Sequence, residues 1–175
     1  MREIKLRALN SSDISKTLEW NNDPEISDFY LSHPFPVNVE MEQKWYQKIL
    51  TSNIPVSVFG IEHCGDKMLI GLTILRDINL INRAAEYAIY IGDKDYKGKG
   101  YSKMATYLTL DFAFTKLGLN RIQLRVAEAN TVALGLYKSV GFVEEGRCRD
   151  AAYKNGKYRT EILMSILCHE YRREL

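Results

Sequence analysis

The chain has 175 residues, 46% of them hydrophobic, which suffices for a single packed domain and falls short of two. Its 24 basic and 22 acidic residues leave a formal charge of +2, too near balance to point at nucleic acid or a membrane surface. Three scattered cysteines, with no CxxC pair and no histidine at ligand spacing, exclude a disulfide scaffold and a structural zinc site, and they suit a reducing, cytoplasmic setting. The opening ten residues carry charge but no apolar run, so no secretory leader is expected. The most apolar stretch, around residues 68–75, is far short of the ~20 residues of a membrane span.

Residues 4–9 alternate apolar and charged side chains as a half-buried strand does, and Asn10 to Asp13 offer caps for a helix to about Trp20. Asp23-Pro24-Glu25 reads as cap, first-turn proline and first-turn acid, so a short helix begins there. Two prolines make residues 32–37 a loop, after which Asn38 caps a helix to about Leu50 with Glu40 and Glu42 in its first turn. Residues 56–63 and 68–77 are β-rich runs joined by the hairpin signal Cys64-Gly65-Asp66-Lys67, and a third strand covers 84–92. Residues 101–117 have helical spacing, with Tyr101, Ala105, Leu108 and Phe112 on one face and Gly118 as the stop. A strand over 121–127, a short helix over 130–139 ended by Gly141, and strands 142–153 and 158–167 around Asn155-Gly156 complete the chain. The pattern predicts one mixed α/β domain over residues 1–175, without internal repeats.

The passage from strand 84–92 through Lys97-Gly98-Lys99-Gly100 to the next helix has a mechanism attached. Glycines let the backbone turn sharply, and the unpaired amides of the first helical turn then point at an anion, with Lys97, Lys99 and Lys103 adding positive charge. A Walker A loop fails on spacing, since Gly98-Lys99 lies one residue too far from Gly92 and Gly100 stands where a magnesium-binding Ser or Thr belongs. The dinucleotide fingerprint fails as well, because Lys103 replaces its third glycine.

Loop, helix and strand, taken with the segment from Asn130 to Phe142, resemble the GNAT superfamily of N-acetyltransferases. The superfamily's later motif, Asn-x-x-Ala-x-x-x-Tyr-x-x-x-Gly-Phe, is matched at each fixed position by Asn130, Ala133, Tyr137, Gly141 and Phe142. Its pyrophosphate loop, Gln/Arg-x-x-Gly-x-Gly/Ala, is matched with two departures, Lys97 and Ser102. The resemblance runs over residues 4–167, and Trp20-Asn21-Asn22-Asp23-Pro24-Glu25 with the tail 153–159 is similar to the branch holding ribosomal-protein N-terminal and spermidine acetyltransferases.

That resemblance implies a mostly antiparallel sheet of six to seven strands, flanked by helices and splayed at its two central strands. It implies acetyl-CoA as cosubstrate, with the pyrophosphate on the amides of Gly98, Lys99, Gly100, Tyr101, Ser102 and Lys103. It also implies that the pantetheine arm pairs with Ile89, Tyr90 and Ile91, and that Asn130 contacts that arm or orients a water. An amide near Tyr90 is the expected oxyanion donor. Tyr137 corresponds to the superfamily's general acid for the departing thiolate. An amine of pKa near ~10 must lose a proton before it attacks. Glu86, eleven residues before Lys97, matches the glutamate base of histone acetyltransferases; binding the acceptor's ammonium is the other reading of its carboxylate.

Charge is uneven along the chain. Seven acids face two bases over residues 10–45, and thirteen bases face seven acids over 94–161. A positive half suits phosphates and a negative half suits a cationic acceptor, with Glu25, Asp28 and Tyr30 as candidate contacts. Spermidine acetyltransferases carry two acids before a Pro-aromatic step, and here Ser32-His33 precede Pro34-Phe35 instead. The acceptor expected is a polyamine or a protein N-terminal amine, a small-molecule or peptide amine in either case. An amino-sugar nucleotide acceptor, a non-catalytic acyl-CoA-binding module and a basic RNA-binding patch are the alternatives. A strand at 162–167 is the expected edge if the chain forms a homodimer.

Overall fold

The computed structural model describes residues 3–27, 35–51 and 57–172. Seven strands form one sheet in the order β1-β2-β3-β4-β5-β7-β6. They are β1 (Ile4–Arg7), β2 (Ser57–His63), β3 (Leu69–Asn79), β4 (Ala84–Ile91), β5 (Arg121–Ala127), β6 (Val143–Lys154) and β7 (Lys157–Leu167). The helices are α1 (Ile14–Asn22), α2 (Pro24–Ser27), α3 (Val39–Thr51), α4 (Tyr101–Asp111) and α5 (Thr131–Val140). No helix of the described residues is long and apolar enough to cross a membrane.

All pairings are antiparallel except β4 with β5, which run parallel and are joined only from Ala84–Arg121 to Glu86–Gln123. Beyond Glu86 the two strands part. The edge of β4 that faces β5 is therefore open from Tyr87 onward, as the expected splay requires. On its other side β4 is held close to β3, because Gly71 leaves room that a Cβ would fill at 2.3 Å from the Tyr90 carbonyl oxygen.

Helix α4 lies across the sheet and is buried on two sides. Tyr101 and Ala105 pack with Ile4, Ile61, Ile70 and Ile91, while Tyr107 and Leu110 join the larger core of Ile122, Leu124, Met164 and Ile166. The expected single stripe was too narrow: Leu108 and Phe112 are only partly buried, and Thr106 and Thr109 are fully buried. The helix was expected to run regularly to Leu117. Instead it widens into a π turn over Phe112–Lys116, where the Leu117 N–H bonds the Phe112 carbonyl at 3.2 Å.

One other expectation changes. Segment 162–167 lies within β7, between β5 and β6, with Ile162, Met164 and Ile166 buried; β6 is the edge, so a dimer cannot add to 162–167. Glu42 stands in the first turn of α3 as expected, where it is buried at 2% exposure and accepts a bond from Asn21 Nδ2 at 2.9 Å.

Candidate active site

The open edge of β4, the N-terminus of α4 and the face of α5 enclose a cleft of ≈ 820 Å³. From the expected cofactor set, Ile89, Tyr90, Ile91, Lys97, Gly98, Gly100, Ser102, Lys103 and Asn130 all line it. Lys99 and Tyr101 point elsewhere. The Lys99 ammonium lies 5.4 Å from the Tyr96 ring centre, and Tyr101 is part of the core under α4.

The loop between β4 and α4 is built from local bonds. Asp93 accepts from the Asp95 N–H, the Lys97 N–H bonds the Lys94 carbonyl, and the chain then turns through Gly98 and Gly100 at φ +75° and +84°. Those angles are what side chains other than glycine avoid. The first α4 ladder bond runs from Met104 N–H to the Gly100 carbonyl, so the amides before it lack a partner in the helix, and Gly98, Gly100, Ser102 and Lys103 border the cleft. A Cβ built at either glycine meets nothing within 4 Å, so space stands open above the loop. With Lys97 and Lys103 beside it, the loop fits a diphosphate, and the open β4 edge fits an extended amide-bearing arm leading away from it.

Tyr137 reaches the cleft from α5. Asn130 caps that helix by accepting from the Ala133 N–H at 3.1 Å, and Gly141 stops it at φ +106°. Its ring is held by Phe142, with centres 5.6 Å apart, and by Tyr87, 6.4 Å away and nearly perpendicular. The two tyrosines differ in what they can do. The Tyr87 hydroxyl is buried, donates to Thr106 Oγ1 at 3.0 Å, and burial pushes its pKa up to about 12. Tyr137 lines the cleft together with Tyr87 and Tyr90.

Glu86 sits one step back. It does not itself line the cleft; its Oε1 accepts from Arg76 Nε at 3.1 Å and from the terminal nitrogen, and Arg76 is the residue that meets the cleft. Arg76 had no sequence signal, because its contact depends on cross-strand register. Arg125, also on the cleft wall and 3.7 Å from Glu161, was missed for the same reason.

On the acceptor side Glu25 lines the cleft and is paired with Lys94 at 3.2 Å. Lys94 also binds Asp23, whose carboxyl is held below its ordinary range chiefly by the Glu25 N–H and then by Lys94. Asp28 and Tyr30 lie outside the described residues. Among the described residues no cluster of His, Cys, Asp and Glu could hold a metal.

Residues 3–143 match the family model for the acetyltransferase (GNAT) domain. Over 169 residues the chain is 36% identical to the spermidine N(1)-acetyltransferase of Vibrio cholerae, covering 97% of this chain and 95% of that protein. The Escherichia coli spermidine N(1)-acetyltransferase is 32% identical over 96% of this chain and 88% of its own length. A crystal structure of the Vibrio cholerae spermidine N-acetyltransferase in complex with CoA and spermine superposes with a TM-score of 0.90 at 34% identity, covering 97% of this chain and 98% of that one.

Proposed function

The chain belongs to the GNAT acetyltransferase family and is an acetyl-CoA-dependent N-acetyltransferase; we propose that its acceptor is a polyamine, spermidine foremost. The observation that carries the acceptor is likeness over nearly the whole chain to spermidine N(1)-acetyltransferases. The charge pattern agrees in that Glu25, from the acid-rich stretch 10–45, lines the cleft, where Lys94 pairs with it. The cysteines Cys64, Cys148 and Cys168 are free, which suits a cytoplasmic enzyme.

Bound in the cleft, acetyl-CoA supplies an acetyl group activated as a thioester. The amides of residues 98–103 and Lys97 and Lys103 grip the diphosphate, and the open edge of β4 holds the arm in register. An amide near Tyr90 donates to the carbonyl oxygen as negative charge grows there. Glu86, past Arg76 or through a water, accepts the proton of the acceptor's ammonium. The new C–N bond forms as the C–S bond breaks, and the Tyr137 hydroxyl gives its proton to the departing thiolate sulfur.

Acetyl-CoA-dependent thiol release across spermidine, spermine, ribosomal N-terminal peptides and amino-sugar nucleotides tests the acceptor. Polyamines should give the highest kcat/KM. A higher value with peptides or amino-sugar nucleotides moves the acceptor to that class, and cofactor binding without release from any of them leaves a binding module.

A further inference from the structure

The loop that faces the diphosphate is tied from outside the cleft. Tyr96, the residue before Lys97, donates its hydroxyl to Asp66 Oδ2 in the β2–β3 turn, 30 residues away in sequence. The other carboxylate oxygen, Oδ1, accepts from the Met68 N–H at 3.1 Å and pairs with His63 Nδ1 at 2.9 Å. The His63 ring then lies over the same tyrosine, with centres 5.2 Å apart, and 5.6 Å from Tyr101 at the start of α4. Gly65 makes this possible, since a Cβ there would meet the imidazole at 2.9 Å. Lys99, inside the loop, closes on the Tyr96 ring from its own side of the chain. Thus two residues of one hairpin, His63 and Asp66, grip the two tyrosines that bracket Lys97-Gly98-Lys99-Gly100.

We propose that Asp66, acting through Tyr96 with His63 packed on both, is a positioning residue that fixes the diphosphate loop for the acyl donor. The two glycines give that loop a large choice of backbone states, and each must be lost before its amides converge on an anion. A hydroxyl bonded to a carboxylate at the loop's first residue removes part of that freedom in advance. The Tyr96 hydroxyl is pushed up to about 12 by its bond to Asp66, so it stays a donor throughout the working pH range. Asp66 does not line the cleft, and its bond to the Tyr96 hydroxyl is what links it to the loop.

The inference rests on the diphosphate reading of the loop, and donor truncation separates the two. Steady-state rates are measured with acetyl-CoA and with acetyl-pantetheine, which has the thioester and arm but no diphosphate. Tyr96→Phe should raise KM for acetyl-CoA by about fivefold, the scale of one net hydrogen bond, with kcat unchanged. Its kcat/KM for acetyl-pantetheine should equal that of the unaltered enzyme. Asp66→Ala, which leaves the Tyr96 hydroxyl without this partner, should reproduce the shift, and the double variant should add nothing to Tyr96→Phe. Equal losses with both donors, no change with either, or additive effects in the double variant would overturn the proposal. If the unaltered enzyme uses both donors equally well, the diphosphate reading itself fails and this inference falls with it.

Discussion

Arg76 and Glu86 stand opposite each other on the antiparallel pair β3–β4, and the guanidinium bonds the carboxylate at Oε1 from two nitrogens. A cation thus already occupies the carboxylate that is proposed to serve a cationic acceptor. The Arg76 side chain is 39% exposed and that of Glu86 17%, so the arginine is the more solvated partner of the pair.

If Glu86 removes the acceptor's proton, Glu86→Gln should lower kcat/KM for spermidine by about 100-fold at pH 7. The loss should shrink above about pH 9.5, where free amine no longer needs a base. A pH–rate profile from 6 to 10 reads both. A deficit that stays constant across that range would assign Glu86 to binding alone.

Tyr137→Phe keeps the ring between Tyr87 and Phe142 and removes only the hydroxyl. Turnover should fall by about 100-fold or more, the scale of general-acid catalysis. The rise in melting temperature on adding acetyl-CoA should stay as in the unaltered protein, because the grip on the cofactor is elsewhere. Loss of that rise together with the rate would make Tyr137 a binding or packing residue.

Gly92 lies flat against Trp20, where an added Cβ would come within 2.1 Å of the indole. Gly92→Ala should therefore cost about 2 kcal/mol and lower the melting temperature by roughly 5 °C. Gly135, helical and with nothing within 4 Å of its Cβ position, is the control: Gly135→Ala should stabilise by about 0.5 kcal/mol. Thermal scans of the two variants check the contrast.

Arg121 on β5 reaches over Ser165 of β7 to Glu145 on β6, bonding Oε1 at 2.7 Å and Oε2 as well. That pair lowers the Glu145 pKa to about 2. A carboxylate held lower in the folded state than in the unfolded chain stabilises above its ordinary value, and the contribution disappears as pH falls to about 2. Arg121→Gln should lower the urea midpoint at pH 6, with the difference from the unaltered protein closing between about pH 4.5 and pH 2. A gap independent of pH would mean that the arginine acts by packing.

What the sequence made legible was mostly local. Asn130 as a cap, Gly141 as a stop and the Gly98–Gly100 turn are short-range devices, and each occupies its expected place. The same holds for Asn155-Gly156, whose positive φ angles of 51° and 76° suit the β6–β7 turn. The Arg76–Glu86 and Tyr96–Asp66 pairs were not legible, because each depends on register or on a hairpin meeting a loop. The bulge between Arg76 and Asn79, with Asp77 at φ 52°, shifts that register and has no glycine or proline to announce it. The π turn after Asp111 was hidden in the same way, since apolar spacing continues unbroken through Phe112 and Phe114.

Within this cleft one acetyl group is proposed to pass from acetyl-CoA to a polyamine nitrogen. Mass spectrometry of spermidine incubated with acetyl-CoA and the protein tests it most directly, with thiol release followed in the same tube. Monoacetylated spermidine should form in one-to-one ratio with thiol, and Tyr137→Phe should cut its formation about 100-fold. Thiol release without acetylated spermidine, or the same yield from Tyr137→Phe, would contradict it.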